Sequence, residues 1–67
     1  MEYTREELNE AARQIDSTLH KLRETILTLE AKPERNKSQI TLAKRRVQAF
    51  TIANDLIAEK LRGEANP

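Results

Sequence analysis

Apolar residues recur at alternating steps of three and four along two stretches of the chain, a spacing that places side chains on one face of an α-helix. The two patterns predict a first helix from about residue 4 to 31 and a second from about residue 38 to 62. The seam of the first helix comprises Leu8, Ala12, Ile15, Leu19, Leu22, Ile26 and Leu29. The seam of the second comprises Ile40, Ala43, Val47, Phe50, Asn54, Ile57 and Leu61.

Capping and helix-breaking residues delimit these two helices. Thr4 and Glu7 have the spacing of a capping box, in which each side chain accepts a hydrogen bond from the backbone of the other residue. Pro33 lies in a polar segment, about residues 32 to 37, that predicts the turn. Gly63 follows a basic last turn, so we expect it to adopt the left-handed C-terminal cap and residues 63–67 to fray. Candidate N-caps of the second helix are Asn36, with Gln39 behind it, and Ser38.

The two seams fit each other when the chain folds back on itself. Pairing positions whose numbers sum to 69 gives every seam residue a partner, from Leu8 opposite Leu61 at the open end to Leu29 opposite Ile40 beside the turn. Small residues face large ones in two of the layers, as interdigitating side chains require. The sequence therefore predicts an all-α fold, a coiled-coil-like antiparallel two-helix hairpin that forms a single domain over residues 1–67.

Asn54 interrupts this otherwise apolar seam, opposite Ile15. A single polar residue in a seam commonly fixes register or oligomeric state at some cost in stability, and this is the interpretation we favour. The alternative is that the amide binds a ligand in the core of a bundle.

The second helix carries more apolar surface than the first can cover. Beyond its seam lies a second stripe, in which Leu42 and Leu56 are equally distant in sequence from Ala49. An antiparallel pairing of two second helices would place Leu42 on Leu56 of the other copy, with Ala49 at the two-fold axis. We therefore predict a homodimer in the form of a four-helix bundle. The predicted interface comprises Leu42, Arg46, Ala49, Ala53 and Leu56 of the second helix and Ala11, Thr18 and Thr25 of the first.

Charge is distributed unevenly, although 34% of the residues are charged and the net charge is only +1. Residues 19–48, which include the turn, carry a net charge of +5, whereas residues 1–18 carry −3. A basic turn end can meet phosphates, which makes weak RNA binding the alternative function. No aromatic residue interleaves with these charges to stack on bases, and this disfavours nucleic acid as a partner. The candidate contacts are Lys32, Arg35, Lys37, Lys44 and Arg45.

The run Lys44-Arg45-Arg46 does not form one basic stripe, because successive residues of a helix point about 100° apart. We expect Lys44 to lie beside the seam within reach of Glu30, Arg45 to face solvent, and the aliphatic stem of Arg46 to cover apolar surface.

Other chemistry is not indicated. The chain has no cysteine, which excludes disulfides and thiolate metal sites, and its single histidine, His20, has only Glu24 one turn away. We predict no catalytic residues, no cofactor or metal site and no small-molecule substrate. No apolar run approaches the roughly 20 residues that span a membrane, and the acidic start is unlike a signal peptide, so we expect a cytoplasmic protein without a membrane partner.

The segments "STLHKLRETILTLEAK" and "SQITLAKRRVQAFTIANDLI" resemble those of short uncharacterised bacterial proteins that are themselves predicted to be helical hairpins. The resemblance covers nearly the whole chain and implies a hairpin, but it brings no known activity. In architecture only, the chain is also similar to Rop, a hairpin that dimerises into a four-helix bundle and binds RNA. We therefore expect a non-enzymatic interaction or assembly module that acts by homo-oligomerisation or by binding another protein along a helix groove.

Overall fold

The computed structural model describes residues 2–65, with the side chains of residues 2–63, as two helices and one turn. Helix α1 spans Arg5–Glu30 and helix α2 spans Lys37–Ala65. The helices pack against each other along their length, and no strand occurs within the described residues. The resulting body measures 51 × 19 × 15 Å. The predicted all-α helical hairpin is confirmed.

Helix α1 begins at the predicted capping box. Thr4 has extended backbone angles, and its Oγ1 accepts a hydrogen bond of 3.0 Å from the Glu7 N–H. In return, Glu7 Oε1 accepts a 2.8 Å hydrogen bond from the Thr4 N–H. These two bonds satisfy backbone donors that the helix itself leaves without partners. The carboxylates of Glu6 and Glu7 also lie in the first turn, where the positive end of the helix dipole favours them.

Asn36 ties the two helices together at the turn. Its Nδ2 donates hydrogen bonds to the Leu29 carbonyl at 3.1 Å and to the Lys32 carbonyl at 3.0 Å, near the end of α1. Its own carbonyl accepts a 2.8 Å hydrogen bond from the Ile40 N–H, in the first turn of α2. Asn36 thus directly precedes α2, as a cap would, while its side chain donates to two carbonyl groups, at the end of α1 and in the turn, that also accept backbone hydrogen bonds.

The hydrophobic core is the predicted pair of seams. Every seam residue of both helices is buried or half-buried. Among the described side chains, however, only Leu8, Leu19 and Ala43 are buried, and none of these is completely shielded from solvent. Two helices have one contact line between them, so most seam side chains keep one side in solvent. The single hairpin therefore has little interior of its own.

The predicted end of α2 is wrong. The helix continues through Gly63 to Ala65, and no glycine in the described part of the chain has a positive φ, so Gly63 is not a left-handed cap. An interior glycine weakens a helix without stopping it. Of the predicted frayed tail, residues 63–65 belong to α2, and 66 and 67 lie outside the described residues.

Candidate interaction face

Large exposed apolar side chains gather on one side of α2. Leu42 is 48% exposed, Ile52 is 52% exposed and Leu56 is 59% exposed. Together with Arg46, Ala49 and Ala53 they form what we call the α2 face. Ile52 was not among the predicted interface residues, although it lies three residues after Ala49 and four before Leu56, a spacing that could have identified it.

The adjoining flank of α1 is small and uncharged. Ala11 is half-buried, while Thr18 and Thr25 are exposed. The Thr25 Oγ1 donates a 2.9 Å hydrogen bond to the Lys21 carbonyl. Since that hydroxyl already has a partner within its own helix, covering Thr25 would leave no unsatisfied donor.

A groove of about 230 Å³ runs between the two helices on this same side of the hairpin. Its walls bring together three of the predicted interface residues, Thr25, Leu42 and Arg46. The remaining predicted interface residues lie outside the groove, farther along the helices. The other lining residues are Leu22 and Leu29 of α1 and Gln39 and Ala43 of α2.

Polar contacts between the two helices lie on the other side of the seam. Lys44 Nζ is 3.3 Å from Glu30 Oε2, the contact expected from the sequence, and both side chains are largely exposed. Asn54 Nδ2 donates a 2.7 Å hydrogen bond to Asp16 Oδ1. The hairpin therefore has one side closed by polar contacts and one side left apolar.

Only one of the two polar atoms of the Asn54 side chain has a hydrogen-bond partner. Its Nδ2 has the Asp16 carboxylate as partner, whereas its Oδ1 is buried and accepts no hydrogen bond. Exchanging the two amide atoms would set an oxygen against the carboxylate, so the contact with Asp16 fixes this orientation. An unpaired buried oxygen costs about 1–3 kcal/mol. Asn54 is therefore a position at which the hairpin gives up stability.

The structure brings only some of the predicted nucleic-acid contacts close together. Lys32 and Arg35 line an open pocket of about 300 Å³ at the turn, together with Pro33 and Glu34. Lys37 and Arg45 are exposed, and Arg45 lies on α2 away from this pocket. Lys44 is paired with Glu30 and points to the polar side of the hairpin. The basic run thus diverges around the helix, as its spacing predicted, and the charge concentrates at the turn itself.

The remaining features concern the histidine, metal binding and membrane insertion. His20 Nε2 is 3.0 Å from Glu24 Oε1, in an exposed pair one turn apart. Residues 2–65 include no cluster of three or more potential metal-ligating side chains. Across the same residues, neither helix combines the length and the apolar character needed to cross a membrane.

Comparisons of this chain with protein-family models, with curated proteins and with solved structures found no match.

Proposed function

We propose that this protein is a non-enzymatic assembly module that pairs with a second copy of itself through the α2 face, forming a four-helix bundle. The observation that carries the proposal is the accumulation of Leu42, Ile52 and Leu56 on one side of a hairpin with a small core. Exposed apolar patches rimmed by polar residues are typical of protein-interaction surfaces. Covering this side with a second hairpin would give both copies the interior that neither has alone.

The size of the surface suits a stable dimer. The broad side of a 51 × 19 Å body offers on the order of 1,000 Å², which exceeds the roughly 800 Å² that each partner buries in a standard interface. Of the residues assigned to the face, only Arg46 is charged, and it is one of the residues that line the groove. Covering these residues would therefore remove one charged side chain of each copy from water.

Charge favours a second copy as the occupant of the face. The turn end is basic, with Lys32, Arg35 and Lys37, and the open end carries the acidic first turn of α1. A surface with opposite charges at its two ends is complementary to itself when two copies lie head to tail. The composition, with 34% charged residues, suits a protein that works in water, and we propose the cytoplasm as its location.

The test is sedimentation equilibrium of the wild-type chain and of Ala49→Glu. We expect a wild-type dimer, and we expect the variant to be monomeric or unfolded, because it buries two like charges near the two-fold axis. Ser17→Glu is the control, since it adds the same charge at an exposed position on α1, away from the α2 face. A variant that stays dimeric with wild-type stability would mean that another surface, or another protein, is involved.

RNA binding through the turn end is the second candidate. It is favoured by the position of Lys32 and Arg35 around one open pocket. Phosphate contacts weaken steeply as salt rises, whereas apolar self-association persists or strengthens. A salt titration of RNA and duplex DNA binding separates the two functions, and the absence of any complex at low salt would exclude this candidate.

A further inference from the structure

The groove beside Leu42 and the exposed side chain of Leu56 lie on the same side of the hairpin, but Leu56 does not line that groove within one chain. The groove between Leu22, Leu29 and Leu42 is apolar on most of its walls and open to solvent. Leu56 lies four turns farther along α2 and is 59% exposed. Since a helix rises about 1.5 Å per residue, about 21 Å separate Leu56 from Leu42 within one chain.

We propose that Leu56 of each hairpin fills the groove of the other, an inference that rests on the proposed dimer and specifies its geometry. In a two-fold pairing of antiparallel α2 helices with Ala49 at the axis, each position faces the one equally distant on the other side of residue 49. Leu56 of the second copy then lies against Leu42, which forms one wall of the groove. Because the pairing is two-fold symmetric, the same contact fills the groove of each copy.

Small side chains permit this approach. Ala49 would meet its own copy at the axis, and Ala53 lies one turn farther along the same face. Packed helices run about 8–10 Å apart and each Cα lies about 2.3 Å from its helix axis. The two Ala49 Cα atoms would therefore lie about 3.5–5.5 Å apart. The small side chain of alanine allows the helices to approach to the upper part of this range, which brings the neighbouring leucines within reach of the opposite groove.

Charge selects the same direction of pairing. The antiparallel arrangement places the basic turn end of one hairpin beside the acidic Glu6 and Glu7 of the other. A parallel arrangement would instead set the two turn ends, each with Lys32, Arg35 and Lys37, against each other. Like charges in contact disfavour that alternative.

Disulfide cross-linking tests the geometry directly, because the natural chain has no cysteine. Single-cysteine variants Ala49→Cys, Leu42→Cys and Leu56→Cys are oxidised at concentrations where sedimentation shows a dimer. We expect Ala49→Cys to link to itself, since a disulfide joins Cα atoms about 4.4–6.8 Å apart. Leu42→Cys and Leu56→Cys should link only when the two are mixed, because like positions lie about 21 Å apart in the antiparallel pairing. Ser17→Cys, exposed on α1, measures random collision.

The outcomes separate this inference from the proposed function. Links of Leu42→Cys with itself, or a dimer in which Ala49→Cys does not link above the Ser17→Cys background, would overturn the proposed register while leaving self-association intact. A wild-type chain that sediments as a monomer at every concentration would overturn both.

Removing the side chain that fills the groove tests the contact itself. Leu56→Ala withdraws a leucine from both grooves of the dimer, and we expect the dimer Kd to weaken by about a hundredfold or more. The hairpin should still fold by circular dichroism, because Leu56 is largely exposed within one chain. Leu27→Ala, at a 71% exposed position on α1, is the control and should leave the Kd unchanged. An unchanged Kd in Leu56→Ala would overturn the inference.

Discussion

Replacing Asn54 with leucine should stabilise this protein. The change removes the buried Oδ1 that accepts no hydrogen bond, a gain of about 1–3 kcal/mol. It also places a leucine at a half-buried seam position, which adds about 1 kcal/mol. Against these gains stands the 2.7 Å hydrogen bond to Asp16, whose carboxylate is exposed and can return to water, so its loss costs only about 1 kcal/mol.

The net gain is therefore about 1–3 kcal/mol, which corresponds to an increase in Tm of about 4–24 °C for a domain of this size. Thermal unfolding followed by circular dichroism measures it. Wild type and variant must be compared at one protein concentration, because self-association makes the Tm depend on concentration. Sedimentation velocity should show a broader distribution of oligomers in Asn54→Leu, since a polar seam residue restricts register and oligomeric state.

A double-mutant cycle with Asp16→Ala supplies the control. In the wild-type background Asp16→Ala should destabilise the protein, because it leaves the Asn54 Nδ2 without its partner. In the Asn54→Leu background the same change should have little effect. If Asn54→Leu lowers the stability by 1 kcal/mol or more, the Oδ1 has a partner of its own and the reasoning about its cost fails.

Two further predictions concern the residues that directly precede the two helices. Thr4→Ala should lower the free energy of unfolding by about 1 kcal/mol, whereas Thr4→Ser keeps the Oγ that accepts from Glu7 and should be nearly neutral in urea unfolding. Asn36→Ala should cost about 1–2 kcal/mol by removing two hydrogen bonds to the Leu29 and Lys32 carbonyls. Asn36→Asp should be at least as damaging, because a carboxylate cannot donate; a neutral result would show that Asn36 acts as an ordinary N-cap instead.

The features that sequence predicted best are those that depend on local spacing. The seams follow from the helical repeat, and every seam residue proved buried or half-buried. The capping box involves residues three positions apart, so its hydrogen bonds could be expected from Thr4 and Glu7 alone. The Glu30–Lys44 pair followed from the register of the two seams.

The remaining features depend on competition between local signals or on three-dimensional shape. Gly63 was expected to end α2, but an interior glycine costs only about 1 kcal/mol, and the helix continues through it. Asn36 contains both a donor and an acceptor, and sequence does not reveal which of them the turn will use. The groove beside Leu42 exists only because two particular sets of side chains meet across the seam, and no spacing rule describes that space.

The layers predicted between α1 and α2 also have a consequence for the order of folding. The layer nearest the turn joins residues close in sequence, and each following layer closes only a small additional loop, so the entropy of closure is lost in small steps. Asn36 holds the first of these steps in place with its bonds on both sides of the turn. The hairpin should accordingly form from the turn outwards. We expect folding to be rapid, because each new layer adds only a short loop to those already closed. The layer of Leu8 and Leu61, farthest from the turn, should close last and open first.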